Sequence, residues 1–426
     1  MADSGARHEF TQAVRAPSGE EWVRRQPLPW LLGPAFVASV AYVDPGNVAA
    51  NLTAGAQYGY LLVWVLVAAN AMAVLVQYLS AKLGLVTGSS LPELLGKRLP
   101  RGRRLAYWVQ AEGVAAATDL AEVIGGAIAL HILFGIPLLA GGLIIGAVSM
   151  LLLALQSRHG QRPFEFVVTG LLVIVTLGFV SGLFFGPVSW GGAVAGIVPR
   201  FEGTQTVLLA ASMLGATVMP HAIYAHSSLA RDRHGSPPPP AALPRLLKAT
   251  RWDVVLSLLV AGSVNIAMLL LAAGNLAGVP GTDSIDGAHA AIATALGPVV
   301  GVAFGLGLLA SGLASTSVGC YAGSTIMAGL LHRLVPQVTR RAVTLIPALV
   351  IIAAGADPTW ALVLSQVVLS LGIPFALIPL VALTGNRTLM GSFTNARALR
   401  VAAWVVVGLI VALNLALIGL MATGQG

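Results

Sequence analysis

Apolar runs of about 20 residues recur along nearly the whole chain, between residues 30 and 422. A helix needs roughly that length to cross the hydrocarbon layer of a bilayer. Backbone immersed in lipid must also satisfy its own polar groups, which a helix does within one segment. Of the 426 residues, 57% are apolar and only 9% are charged, against about 25% charged in soluble domains. So few charges cannot cover a soluble body of this size. Soluble, disordered, fibrous and nucleic-acid-binding classes are excluded, and the chain reads as an all-α polytopic membrane protein.

Polar, proline and glycine breaks divide the apolar sequence into eleven expected spans. They lie near 30–58, 60–83, 105–130, 136–155, 165–186, 205–229, 252–277, 298–330, 341–355, 359–384 and 398–422. Positively charged loops stay in the cytoplasm. With the N-terminus inside, the cytosolic segments are the tail and the loops 84–104, 156–164, 230–251, 331–341 and 385–400. Counting Lys82 at its helix end, they hold 23 of the 24 Lys and Arg residues and leave only Arg200 outside. The expected topology is multi-pass, with a cytoplasmic N-terminus and an external C-terminus. The richness in Ala, Gly and Arg, with three lysines, suggests a bacterial plasma membrane. The net charge of +8 is then a product of topology and requires no nucleic-acid partner. Residues 1–28 contain Arg7, Arg15, Arg24 and Arg25 but no apolar core, so a disordered cytosolic tail is expected there rather than a signal peptide. Residues 29–426 form a single transmembrane domain. Its one cysteine, Cys320, allows neither an intramolecular disulfide nor a CxxC metal site. The polyproline segment 236–240 reads as a stiff spacer.

Two of the spans are interrupted. The first contains Asp44-Pro45-Gly46-Asn47 and the sixth contains Gly215-Ala216-Thr217-Val218-Met219-Pro220-His221. Proline removes a backbone donor and glycine is permissive, so both helices should unwind at these points. A single proline kink is an ordinary feature of membrane helices. Two breaks five spans apart, both flanked by polar groups, instead point to a transport site at the midplane of an inverted repeat. The carboxylate of Asp44, the amide oxygen of Asn47, freed carbonyls at Asp44 or Ala216, and the Met219 thioether are the available ligands. Oxygen alone suits magnesium or calcium, whereas a soft sulfur favours later divalent ions. The set together suggests Mn²⁺ or Fe²⁺, with discrimination against Ca²⁺ and Mg²⁺; Met219 taken alone reads as core filler, and its place at the break makes it a ligand candidate.

Asp44-Pro45-Gly46-Asn47 together with Met219-Pro220-His221 resembles the Nramp family of proton-coupled divalent metal transporters, in particular its bacterial manganese importers. The resemblance covers roughly residues 28–422. It implies a LeuT-type fold: two inverted five-helix repeats, about 29–190 and 203–385, plus an eleventh helix at 398–422. It also implies secondary active import of Mn²⁺, Fe²⁺ and similar ions into the cytoplasm, coupled to protons, by alternating access around the unwound helices. On that footing the partners are metal ions, protons and the lipid bilayer; no cofactor, enzymatic activity or obligatory protein partner is expected. By motif position, Asp44, Asn47 and Met219 look like metal-coordinating side chains and Ala216 like a carbonyl ligand. Gln366, in Leu364-Ser365-Gln366, resembles a glutamine that approaches the ion. Thr118-Asp119-Leu120-Ala121-Glu122 matches the family's acidic proton-route pair, and His221 and Arg341 match further members of that network. The chain departs from many relatives at Ser324, where they carry glutamine.

The residues themselves support a proton route. Glu112, Asp119 and Glu122 are spaced by seven and three residues, which keeps neighbouring pairs on similar faces of the third helix. Carboxylates in a membrane helix are costly unless they face protein, water or a cation. The alternatives are a proton route, favoured for Asp119 and Glu122, and a static ion-pair network, with Glu112 pairing near Arg340 and Arg341. His221 could tune either arrangement, since its reference pKa lies near 6.5. His226 lies about 140° further round the helix and is secondary. A sodium-coupled amino-acid or amine symporter on the same fold is the main rival reading, although Asp44 at the first break serves a substrate carboxylate poorly. Neither His-Glu-x-x-His nor a GxxxxGK[ST] loop occurs in the sequence, which disfavours a zinc protease or an ATP-driven pump.

Overall fold

Proline at the first or second helical position opens helix after helix: Pro34, Pro45, Pro92, Pro244, Pro298 and Pro358 all sit there. Its fixed φ suits the first turn, where its missing N–H costs nothing. A computed structural model describes residues 31–159, 161–234, 239–282, 284–332 and 337–423. Among the described residues all regular structure is helical. The expected tail 1–28 and most of the polyproline spacer lie outside them.

Helices occupy all eleven expected spans. Eight are long and apolar enough to cross a membrane: Val63–Thr87, Arg101–Phe134, Glu165–Phe184, Thr204–Arg233, Leu243–Asn275, Pro298–Leu331, Pro358–Thr384 and Arg397–Leu420. Two of the other three fall short for visible reasons. The first is divided at Asp44 into Pro34–Val40, a short 3₁₀ turn, and Pro45–Tyr58. The ninth, Gln337–Ala353, has 17 residues; the fourth is the 22-residue helix Leu138–His159. The third and eighth spans run to 34 residues each, about 50 Å at 1.5 Å per residue, so they must tilt or project beyond the hydrocarbon. Among the described residues four shorter helices were not anticipated, Trp190–Ala195 and Arg387–Met390 among them. Leu91–Arg98 starts from a Ser90–Glu93 capping box, and Ile285–Leu296 fills the loop before the eighth span. All four are too short for an apolar-run reading to find.

The packing has a five-span periodicity. Pro45–Tyr58 packs on the seventh span, and its counterpart Pro220–His234 packs on the second. The fifth span lies on the eighth as the tenth lies on the third, while the third and eighth pack on each other. Close backbone approach makes these contacts possible. A Cβ added at Gly84 would lie 2.0 Å from the Ser227 carbonyl oxygen, and Ser80 Oγ donates to the Ile223 carbonyl at 2.5 Å. The second span and the far half of the sixth therefore meet backbone to backbone. Gly84→Ala should cost about 1–3 kcal/mol through overpacking, lowering the thermal unfolding midpoint in detergent. Gly113→Ala, where an added Cβ meets nothing within 4 Å, should leave the midpoint unchanged or raise it.

Candidate metal site and its polar network

The first break is held open by chemistry on both of its sides. Asp44 is extended (φ −69°, ψ 167°) and caps Pro45–Tyr58. Its Oδ1 accepts from the Asn47 backbone N–H and from Asn47 Nδ2, both at 2.8 Å. Pro45 has no N–H to close on the Ala41 carbonyl four residues back. The carbonyls that follow turn to other helices: Tyr42 accepts from Asn265 Nδ2 at 2.7 Å and Val43 from Ser311 Oγ at 2.5 Å. The second break repeats the device. The helix Thr204–Thr217 ends at Val218, and the next begins at Pro220. Pro220 has no N–H for the carbonyl of Ala216, also four residues back. Asn47 Nδ2 donates to that carbonyl at 2.9 Å, so one side chain joins the two breaks.

Asp44, Asn47, Ala216, Met219 and Gln366 are all at 0% exposure. Asp44 Oδ2, Asn47 Oδ1 and Gln366 Oε1 are buried oxygens without a hydrogen-bond partner. Gln366 lies against the first break, because a Cβ on Gly46 would fall 1.8 Å from its Nε2. The tenth-span backbone lies against the second break in the same way, since a Cβ on Gly215 would fall 2.0 Å from the Gln366 carbonyl oxygen. Gly46 and Gly215 thus admit the tenth span to both breaks. The arrangement is one carboxylate, freed carbonyls, unpartnered amide oxygens and a thioether at the second break. Among the described residues no group of three or more His, Cys, Asp or Glu side chains is placed to hold a metal. Any ion here would be held by this mixed set.

The acidic residues of the third span are all engaged by arginine. Arg341, at 0% exposure, approaches Asp119 Oδ1 at 2.6 Å and Glu122 Oε2 at 3.4 Å with the same Nη1. Its Nε donates to Ser149 Oγ at 3.1 Å and its Nη2 to Thr316 Oγ1 at 3.4 Å. Arg340 Nη2 pairs with Glu112 Oε1 at 3.0 Å, and only glycine at 323 leaves room for that guanidinium. The expected pairing of Glu112 is thereby resolved onto Arg340. For Asp119 and Glu122 the ion pair considered as an alternative is present, while Asp119 Oδ2 and Glu122 Oε1 remain unpartnered. His221, next to Pro220, touches the third span at Thr118: the hydroxyl donates to the Val114 carbonyl at 3.1 Å and meets His221 Nδ1 at 3.2 Å.

His226, which the helical wheel set aside, is wholly buried. Its Nδ1 meets Gln77 Oε1 at 2.7 Å, and Gln77 Nε2 donates to the Tyr42 hydroxyl beside the first break. Asn265 extends this support by accepting from Asn51 Nδ2 at 2.9 Å. Gln77, Asn265 and Ser311 were missed by the sequence reading. The available signal was a polar side chain inside an apolar span. At Ser324 the hydroxyl donates within its own helix to the Tyr321 carbonyl at 2.8 Å.

The model of the natural resistance-associated macrophage protein-like (Nramp) family matches residues 35–420. The chain belongs to the Nramp family. It is 61% identical over 416 residues to the divalent metal cation transporter MntH of Mycobacterium tuberculosis, covering 98% of this chain and 96% of that one. The crystal structure of the Eremococcus coleocola manganese transporter is similar at TM-score 0.82 and 29% identity, over 91% of this chain and 85% of that one. The amino-acid-bound structure of MhsT, in complex with L-phenylalanine, shares the fold at TM-score 0.58 and 16% identity, over 90% and 98% of the two chains. The architecture is accordingly that of an Nramp member with the LeuT-type fold.

Removing one partner of a buried ion pair typically costs about 3–5 kcal/mol. Arg341→Gln should therefore lower the unfolding midpoint strongly, and adding Asp119→Asn with Glu122→Gln should restore part of the loss. If Arg341→Gln alone melts like the wild type, the ion triad does not organise this part of the bundle.

Proposed function

We propose that this chain imports divalent transition metals, Mn²⁺ foremost and Fe²⁺ among the others, into the cytoplasm by alternating access coupled to proton movement. The observation that carries the reading is the junction of the two breaks. Asn47 bridges the Asp44 carboxylate and the Ala216 carbonyl, and three buried oxygens around it lack partners. Among the described residues no cationic side chain pairs with Asp44, unlike the carboxylates of the third span. A buried anion with unpartnered oxygens beside it is suited to a cation. In this reading Asp44 neutralises charge and Asn47, Gln366 and the Ala216 carbonyl replace part of the hydration shell. The symmetry of the two prolines adds the Ala41 carbonyl. Met219 supplies the soft ligand that disfavours Ca²⁺ and Mg²⁺. The names of the Mycobacterium tuberculosis and Eremococcus coleocola relatives support metal, and manganese, as cargo.

The proton route runs from the first break through His221 and Thr118 to Asp119, Arg341 and Glu122, with Glu112 and Arg340 towards the cytosolic end. Arg341 draws two carboxylates into one buried cluster and leaves an oxygen of each without a hydrogen-bond partner. The two five-helix repeats, 29–190 and 203–385, move against one another around the fixed breaks, and the helix at 398–422 stands outside them. The N-terminus is cytoplasmic, the C-terminus is external and the membrane is a bacterial plasma membrane, as the basic loops indicate. An amino-acid symporter of the same fold is disfavoured, because its substrate carboxylate would face Asp44.

Proteoliposomes containing the wild type should take up Mn²⁺ while excess external Ca²⁺ competes poorly. Asp44→Asn should abolish uptake, and Met219→Ala should let Ca²⁺ compete about tenfold better, the ratio that roughly 1.4 kcal/mol of discrimination supplies. Absence of Mn²⁺ uptake by the wild type would overturn the proposal. Unchanged Ca²⁺ exclusion in Met219→Ala would remove the sulfur from it.

A further inference from the structure

We propose that the junction between the tenth and eleventh spans is a binding site for the phosphate of an anionic phospholipid. A cavity of about 520 Å³ opens there, lined by Arg387, Arg397 and Arg400 together with Thr394 and Asn395. Among the described residues no carboxylate forms an ion pair with these three cations, and the sequence contains neither Asp nor Glu after Asp357. Arg400 Nε is buried without a partner, and Arg400 Nη2 donates to the Asn395 backbone carbonyl at 3.5 Å. A planar guanidinium without its counter-anion suits bidentate recognition of phosphate.

The wall of the cavity is fixed by buried hydrogen bonds. Asn395 Nδ2 donates to Thr384 Oγ1 at 2.9 Å, and its Oδ1 accepts from Lys82 Nζ at 2.8 Å. Lys82 is only 6% exposed, so a fourth positive charge backs the site without occupying it. The 26-residue helix Arg397–Ala422 also begins at the cavity, directing its first N–H groups and the positive end of its dipole there.

The neighbouring surface distinguishes a lipid from a free anion. Val401, Trp404 and Val405 follow Arg397 by four, seven and eight positions and are 56%, 44% and 54% exposed. That spacing places them on one face below the arginine, where an acyl chain would lie. Inorganic phosphate would use the cations and leave this stripe unused. A phospholipid uses both. The site is independent of the transported ion and concerns how the eleventh span is anchored to the tenth.

Native mass spectrometry of the delipidated full-length protein tests the site, using phosphatidylglycerol, phosphatidylcholine and inorganic phosphate as separate probes. The wild type should retain phosphatidylglycerol in preference to phosphatidylcholine. The triple variant R387Q/R397Q/R400Q should bind it on the order of 100-fold more weakly, the scale set by three basic groups at a charged surface. A matched triple, R101Q/R103Q/R104Q at the start of the third span, removes the same charge away from the cavity and should behave as wild type. The unfolding midpoint without lipid verifies folding, and Arg397→Gln alone, at an exposed position, serves if the triple variant does not fold. Equal retention by the cavity variant, equal loss in the matched triple, equal binding of phosphatidylcholine, or inorganic phosphate displacing the lipid at equal concentration would each overturn the proposal.

Discussion

Two prolines set the terms for the rest of this bundle. Pro45 and Pro220 each lack the N–H that would close on the carbonyl four residues earlier, so Ala41 and Ala216 lose their helical partners at membrane depth. Lipid offers no replacement donor. The protein resolves this by surrounding both breaks with other helices: Asn265 and Ser311 donate to carbonyls at the first break, and Asn47 donates across to Ala216 at the second. Gly46 and Gly215 let the tenth span approach closely enough to seal both. The polar site is thus a direct consequence of what the surrounding bundle must satisfy.

The buried charges divide into two kinds. Arg341 and Arg340 hold the third-span carboxylates at 2.6–3.4 Å, two cations set among three carboxylates. Asp44 is held by an amide and a backbone N–H, neither of which cancels its charge. The Asp44 carboxyl is therefore orientated by hydrogen bonds rather than by an ion pair. Thr118 of the third span and His221 beside the second break meet at 3.2 Å.

The helix breaks and the membrane character were legible in the sequence because their causes are local. Proline chemistry acts within four residues, and an apolar run declares itself by length. The Asp44, Asn47 and Ala216 junction was legible for the same reason once the breaks were paired. Its supporting partners were not. A polar residue within an apolar run announces that a partner exists but not which one: Gln77, Asn265 and Ser311 meet residues 35, 223 and 268 positions away. Arg340 and Arg341 stood together at a helix end in the sequence, yet successive residues point to different sides of a helix. The structure accordingly gives Glu112 to one and Asp119 with Glu122 to the other. His226 was set aside because the helical wheel measured its angle from His221 alone, while the second span supplies its partner, Gln77.

Manganese X-ray absorption on the metal-loaded protein tests the central claim most directly, since it reports the ligands around the ion itself. A first shell of oxygen and nitrogen neighbours with one sulfur is expected, with the sulfur contribution absent from Met219→Leu. An all-oxygen shell identical in the wild type and in that variant would contradict the account, for it would place the ion away from the junction of the two breaks or leave Met219 outside its coordination.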